Sequence, residues 1–300
     1  MIKRKERIDL PNALLMLVIH VLGFYGFYKA FTGAYQRETI ILGVVMYCVS
    51  GLGVTIGYHR YFTHRSFKCG EVLQTVLAIC GTIAIENSIK SWVSDHVMHH
   101  AKVDTAKDPY NATRGFWWSH IGWILFKDPD REDPMYSGAE HLMDNPASWI
   151  ARLVEFQHKF YYPLVGFFVW GVPMLIASLW GDIWGGAIFA GFSARLMTWH
   201  GTFCINSLAH WKHWGSSQPY SRANTAQDSL FASLPTFGEG YHNYHHTFPR
   251  DYRNGPLWYN FDPSKWIIYW LSLASLSWDL IRVPREKIEA ARIATLAEAG

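Results

Sequence analysis

Long charge-free stretches alternate with long polar ones along this chain. Leu10 to Tyr28 carries no charged residue, and neither does Thr39 to Tyr58; a short polar turn with Lys29, Arg37 and Glu38 separates them. About 20 apolar residues in a helix cross a bilayer core, so both stretches predict membrane spans, at about 10–28 and 39–58. A second hairpin is predicted from about Phe160 to Gly181, turning at Asp182 and returning over about 183–203. Arg195 interrupts this last span. A central Arg costs about 2.5–3.5 kcal/mol on insertion scales, so its side chain is expected to snorkel or to face protein. The apolar runs from Val72 to Ile85 and from Trp266 to Trp278 are too short to span and read as buried or interfacial helices. The pattern predicts an all-α membrane protein: one domain over 1–300, with four transmembrane helices in two hairpins. The polar segments, about 59–159 and 204–300, form a cap on one side.

Composition agrees. The chain is 50% hydrophobic and 16% aromatic, with 15 Trp, 16 Tyr and 18 Phe, and Trp and Tyr concentrate at bilayer interfaces. A formal charge of only +3 argues against a nucleic-acid partner. The basic start Met1-Ile2-Lys3-Arg4-Lys5-Glu6-Arg7 reads as a cytoplasmic anchor, which puts the cap and both termini in the cytoplasm. The apolar run that follows is too long for a signal-peptide core, and no small-x-small site comes after it, so a retained span is expected. Cys48, Cys69, Cys80 and Cys204 form no C-x-x-C pair, which excludes a zinc ribbon or disulfide framework.

Fifteen histidines change the picture. His59 and His64 form H-x-x-x-x-H just past the second span; His96, His99 and His100 form H-x-x-H-H, and His242, His245 and His246 repeat it. Asn206 and His210 stand four apart. Residues i, i+3 and i+4 share a helix face, so each triplet can converge on one point, and Asn206 and His210 can share a face. An i,i+5 pair is offset on an ideal helix, so His59 and His64 are expected to straddle a helix end, one side chain reaching back. All four clusters lie on the same side of the predicted spans. His20, His120, His141, His158, His200 and His213 read as ordinary core or surface residues. Nine clustered imidazoles exceed the needs of one ion and suggest two. Imidazole suits zinc, copper, iron and nickel alike; the H-E-x-x-H helix of zinc hydrolases is absent, and redox chemistry at a membrane-associated metal pair favours iron. The carboxylate-bridged alternative would use Glu155 with His158 and Glu239 with His242. Gly238 and Gly240 weaken a helix there, and most of the clustered histidines would be left unused.

From about Tyr47 to Lys287 the chain resembles the integral-membrane stearoyl-CoA-type (Δ9-like) fatty acyl desaturases. The likeness rests on Gly57-Tyr58-His59-Arg60-Tyr61-Phe62-Thr63-His64-Arg65-Ser66, Trp92-Val93-Ser94-Asp95-His96-Val97-Met98-His99-His100, Asp108-Pro109, Arg114-Gly115-Phe116 and Ser119-His120-Ile121-Gly122-Trp123. It continues in Asn206-Ser207-Leu208-Ala209-His210 and in Gly238-Glu239-Gly240-Tyr241-His242-Asn243-Tyr244-His245-His246-Thr247-Phe248-Pro249. The resemblance implies four transmembrane helices under a cytoplasmic cap that holds two Fe ions, with O2 as co-substrate. By position, His59, His64, His96, His99, His100, His210, His242, His245 and His246 match that family's metal ligands, and Asn206 matches a position that holds a metal-bound water. No catalytic residue beyond these is implied. Trp92 matches a tunnel-lining position at the kink, and Tyr47 and Gly51 match its buried end, where Gly51 leaves room for chains of about 18 carbons. The chain departs from the family at Glu86, where Gln is usual, and at Phe203, where Trp is usual; both could reshape the kink. Asn87, Asp95 and Lys127 fall on the headgroup side. Ser94, Lys127 and Asp128 stand where acyl-CoA enzymes carry basic residues, which leaves CoA, acyl-carrier protein and glycerolipid open as carriers.

The resemblance thus implies desaturation of a long saturated fatty acyl chain to a cis-monounsaturated product. Carboxylates that accept from the other ring nitrogen orient metal-bound imidazoles, and Asp95, Asp108 and Glu239 are the candidates; helix or turn capping is the competing role for Asp95 and Asp108. With no cysteine pairs and no haem or flavin segment, the chain needs an external electron carrier of ferredoxin, rubredoxin or cytochrome type. A compact chain without a fused carrier is compatible with a bacterial inner membrane. A membrane hydroxylase is the nearest alternative. A histidine-rich metal transporter is the alternative of another class, but it would place ligands within the spans.

Overall fold

The computed structural model describes residues 7–127 and 136–298. The basic cluster before Arg7, and Asp128, lie outside them. Helices dominate: α1 (Leu10–Phe31), α2 (Arg37–Thr63), α3 (Glu71–Thr82), α4 (Ile89–Lys102), α5 (116–125), α6 (Trp149–Lys159), α7 (Tyr161–Trp180), α8 (183–206), α9 (His242–Thr247), α10 (Pro263–Leu273) and α11 (Arg285–Ala297). Two-residue antiparallel pairings tie chain ends to the cap, as in Arg7↔Lys127 and Lys68↔Trp278.

Among the described residues, α1, α2 and α7 are long and apolar enough to cross a membrane. Only 22% of the apolar window of α1 is buried by protein, against 56% for α2, so α1 lies at the rim and α2 inside. The buried stripe of α1 is Met16, Ile19, Gly23 and Gly26, at helical spacing. Ser193 of α8 donates a hydrogen bond to the Gly23 carbonyl (2.8 Å), and a Cβ at Gly26 would collide with the Ser193 side chain; small residues permit this close crossing. The span predicted at 183–203 is the helix α8. Arg195 and His200 keep it below the hydropathy of the other three. Arg195 is fully buried and faces protein: its guanidinium donates to the carbonyls of Ile83 and Met46, at 2.7 Å each. At the far end, Asp182 makes the α7–α8 turn, accepting from the Gly185 N–H (3.0 Å) and the Thr39 hydroxyl (2.6 Å). The two short apolar runs are α3 and α10, with 12 and 11 residues.

Candidate metal centre

The last turns of α2 widen to a π-helix over Gly53–Thr63, and the His64 N–H donates to the His59 carbonyl (3.0 Å). On an α-helix, residues five apart diverge by about 140°. The wider turn brings the two imidazoles together, with centroids 4.7 Å apart. The helix therefore widens before it ends, and π-helical turns concentrate at functional sites. Ser88 caps α4 by accepting from the Ser91 N–H, and α4 carries His96, His99 and His100. α9 carries His242, His245 and His246. Asn206 and His210 do not share a helix face: α8 ends at Asn206, and His210 closes the short turn Leu208–His210.

The nine histidines gather into two groups, and each triplet divides between them rather than converging on one point. His59, His64, His96, His100 and His245 form one group; His99, His210, His242 and His246 form the other. Residues four apart stay together (96 with 100, 242 with 246), while the i+3 residue leans the other way. Within the first group, Nε2 atoms lie 3.0 Å apart for His59–His245, 2.8 Å for His245–His100, 3.1 Å for His100–His96 and 3.1 Å for His96–His64. In the second, His99–His246 is 3.2 Å and His246–His242 is 3.1 Å.

These nitrogens cannot all satisfy one another. The His59 Nδ1 faces the Glu239 carboxylate at 2.8 Å, and the His99 Nδ1 faces Asp108 at 2.8 Å. A carboxylate accepts, so the protons sit on Nδ1 and the Nε2 lone pairs point inward. His210 follows the same logic. Its Nδ1 lies 2.9 Å from the Thr225 hydroxyl, whose own proton goes to Asp104 (2.7 Å), and its buried Nε2 has no hydrogen-bond partner. Burial and neighbouring imidazoles hold His96, His100, His242, His245 and His246 well below the ordinary imidazole range, and burial pulls His210 down to about 3. Each group of converging neutral lone pairs could hold a transition-metal ion, and iron is among the metals that imidazole suits.

These imidazoles stay neutral in the fold while unfolded imidazoles take protons near pH 6.5. The unfolded state then binds more protons, so stability is retained above about pH 6.5 and falls as pH drops below it. Chelator-treated protein is expected to unfold at progressively lower temperature between about pH 7.5 and 5.5, and the metal-loaded protein to resist over the upper part of that range. A flat unfolding profile in the metal-free protein would contradict neutral burial.

Of the three carboxylates expected to orient ligands, Glu239 and Asp108 lie against ring nitrogens of His59 and His99. Asp108 also accepts from the N–H groups of Asp104 (2.9 Å) and Tyr110 (3.1 Å), so it braces a turn as well. Asp95 lines the cavity described below. Sequence reasoning missed Asp104 and Thr225, which lie far apart in the chain and carry no motif. It also missed Arg60. This fully buried cation donates to Glu239 Oε1 (3.0 Å), the Tyr252 carbonyl (2.9 Å) and Asp262 Oδ2 (3.3 Å). Asn254 completes the Glu239 shell with a short amide contact to its Oε2. Burial alone would raise Glu239, but His59 and Arg60 outweigh it and hold the carboxyl below its usual range. Glu155 and His158 make no metal site: Glu155 pairs with Lys90 (2.6 Å), and His158 bonds Ser88 and Tyr136.

A cavity of about 990 Å³ opens onto His59, His96, His99, His242 and Asn206, at the upper end of the range of roughly 300–1,000 Å³ for small-molecule sites. Glu86, Asn87, Trp92, Lys127 and Phe203 also line it. The Glu86 carboxyl accepts from Thr202 Oγ1 (2.7 Å) and Trp92 Nε1 (3.2 Å), and burial pushes it up to about 7. Trp92 in turn stacks on His96, centroids 4.8 Å apart. Tyr47 and Gly51 are not on the cavity wall. Both meet Phe237 instead: the Tyr47 ring lies 5.3 Å from it, and a Cβ at Gly51 would strike it. Lys107 and Arg114 join Lys127 among the residues that line it, so the cavity is less depleted of cations than Ser94 and Asp128 suggest. Lys127 is two-thirds exposed and lies 3.4 Å from Asp9.

A family model described as "Fatty acid desaturase" matches residues 38–266. The chain is 41% identical to "Probable acyl-CoA desaturase" of Schizosaccharomyces pombe over 93% of its length, covering 56% of that protein. It is 39% identical to "Acyl-CoA desaturase 1" of Saccharomyces cerevisiae over 94% of its length, covering 54% of it. It is also 38% identical to "Acyl-CoA Delta-9 desaturase" of Acheta domesticus over 84% of its length, covering 69% of that protein. The chain thus spans about half the length of the two fungal relatives. These relatives are eukaryotic and lend no support to a bacterial setting.

Proposed function

The chain belongs to the fatty acid desaturase family, and on that premise we propose that it desaturates a long saturated fatty acyl-CoA to a cis-monounsaturated product. The observation that carries this reading is the meeting of both histidine groups with one wall of a large cavity. A pair of reduced irons, when bound, supplies with O2 the oxidising power to break two unactivated C–H bonds, which no acid or base of the chain can do. The chain's own part is positional. The first group would hold one ion and His99, His210, His242 and His246 the other, with Asn206 beside them through water. The cavity aligns one methylene pair and excludes competing water. Trp92, Glu86 and Thr202 form a hydrogen-bonded corner next to His96 that fixes where the acyl chain bends.

Lys107, Arg114 and Lys127 favour a phosphate-bearing carrier, which suits CoA. Each turnover needs two electrons from an external one-electron carrier of ferredoxin, rubredoxin or cytochrome type. We read α8 as the fourth span, with Arg195 masked by two carbonyls, and the cap as cytoplasmic.

Expression in a host without desaturases, followed by mass spectrometry of the fatty acids, tests the proposal. The expected product is lighter than its precursor by two hydrogens. A product heavier by one oxygen would make the chain a hydroxylase instead, and metal uptake without lipid oxidation would favour transport.

A further inference from the structure

The turn between α3 and α4 is strained on both sides of one carboxyl. Ile85 and Asn87 take left-handed backbone angles (φ 58° and 81°), and for a β-branched residue such as Ile85 that is an outlier. Strain of this kind persists where the surroundings over-determine it, and it clusters at ligand sites. Here it holds Glu86 in the cavity wall between Trp92 and Thr202.

Glu86 has partners enough for only one of its charge states. Among the described residues, its hydrogen-bond partners are the Thr202 hydroxyl, 2.7 Å from Oε1, and the Trp92 indole N–H, 3.2 Å from Oε2. An ionised carboxylate offers about four acceptor sites, so two donors leave half of them to water in the cavity. Arg195 of α8 acts on Glu86 by its charge, but its guanidinium donates to the carbonyls of Ile83 and Met46 instead. Tyr161 of α7 accepts from the Asn87 N–H, and Tyr58 of α2 donates to the Asn87 carbonyl. The neutral acid fits without moving a heavy atom. Its O–H donates to Thr202 Oγ1 over the same 2.7 Å contact, and Trp92 still donates to Oε2. A helical threonine can turn its own proton to the carbonyl one turn back.

We propose that an acyl chain enters this cavity together with one proton, which Glu86 takes up from solvent, so that acyl binding weakens as pH rises. An acyl chain that displaces cavity water strips the carboxylate of its remaining donors. A charge placed so takes a proton rather than stay buried and unpaired. Burial already pushes the carboxyl up to about 7, so the exchange falls in the neutral range. Because binding takes up a proton, affinity is full below the midpoint of Glu86 and falls by about tenfold per pH unit above it. Cations held by the histidines beyond Trp92 favour the carboxylate; they lower that midpoint and leave the sign unchanged. The proposal rests on the reading of this cavity as the acyl site of a desaturase.

The test titrates the metal-loaded full chain in lipid nanodiscs with stearoyl-CoA, without the electron carrier, so that no turnover occurs. Calorimetry in buffers of different ionisation enthalpy counts the protons taken up on binding. In wild type the uptake should rise toward one proton as pH climbs through the midpoint, and Glu86→Gln should lose that part of it. The Kd should rise by about tenfold per pH unit above the midpoint in wild type. It should stay level in Glu86→Gln, whose amide can keep both contacts and carries no charge. Infrared difference spectra give a readout on wild type alone: stearoyl-CoA should bring up a carboxylic-acid C=O band that shifts in D2O. Equal proton uptake in wild type and Glu86→Gln, or the absence of that band, would overturn the proposal, as would failure of stearoyl-CoA to bind. If the proton is taken up but the reduced, aerated enzyme forms no double bond, the desaturase reading fails and the coupling stands. A double bond formed without proton uptake sinks the coupling alone.

Discussion

Replacing His99 by alanine is expected to abolish desaturation and leave about one metal ion per chain, while His245→Ala abolishes it with a smaller loss of metal. His99 belongs to the group of four and leaves three ligands behind; His245 belongs to the group of five and leaves four. Loss of a hydrogen-bond partner behind a metal-bound imidazole already costs roughly 10–100-fold in metal affinity, and a direct ligand contributes more. The smaller group has no spare imidazole, so its ion is the one released. Both variants should still insert in the membrane, because α4 and α9 lie outside the three long apolar helices. Metal content by plasma emission and fatty-acid products by gas chromatography decide the matter. Normal turnover with two ions bound in either variant would remove that histidine from the centre.

The second large effect is on stability. Arg60→Ala is expected to destabilise the folded cap by about 3–5 kcal/mol, the range for removing one partner of a buried ion pair. Arg60 is 1% exposed and faces Glu239 and Asp262, which are themselves buried. Its removal takes the paired guanidinium from two buried carboxylates and the donor from the Tyr252 carbonyl. One of those carboxylates orients His59, so metal binding should weaken together with the fold. Combining Arg60→Ala with Glu239→Gln and Asp262→Asn should recover part of the stability, by removing the uncompensated charges, but not the metal affinity. Chemical denaturation in detergent measures the first effect. A change within about 0.5 kcal/mol, typical of a surface substitution, would show that Arg60 is not the electrostatic centre of this network.

The cations Lys107 and Arg114 and the pair Asp104 and Thr225 have one thing in common. Ser94, Lys127 and Asp128 on their own leave the carrier end poor in positive charge. The fold brings two further cations to the same cavity from the loop after α4. Asp104 reads as one more loop carboxylate until the fold sets it against Thr225, 121 residues away. The same holds for His20, His200 and His120, which hydrogen-bond in that order: each is an unremarked histidine on its own helix, and only the crossing of α1, α5 and α8 joins them.

By itself the sequence determined what is local in the chain. Runs without charge marked the helices α1, α2, α7 and α8, because hydropathy depends on neighbours in sequence; three of them satisfy length and apolarity outright, and α8 carries Arg195 buried against carbonyls. Spacing on single helices identified the nine histidines that gather. Tertiary structure decided how they divide. Whether His245 joins His59 or His242 is set by a contact across 186 residues, and the pairing of His59 with His64 depends on a π-turn that no residue spacing announces. Periodicity gives the face on which a side chain stands, but the partner it meets is fixed by how helices cross, and that is a property of the packed whole.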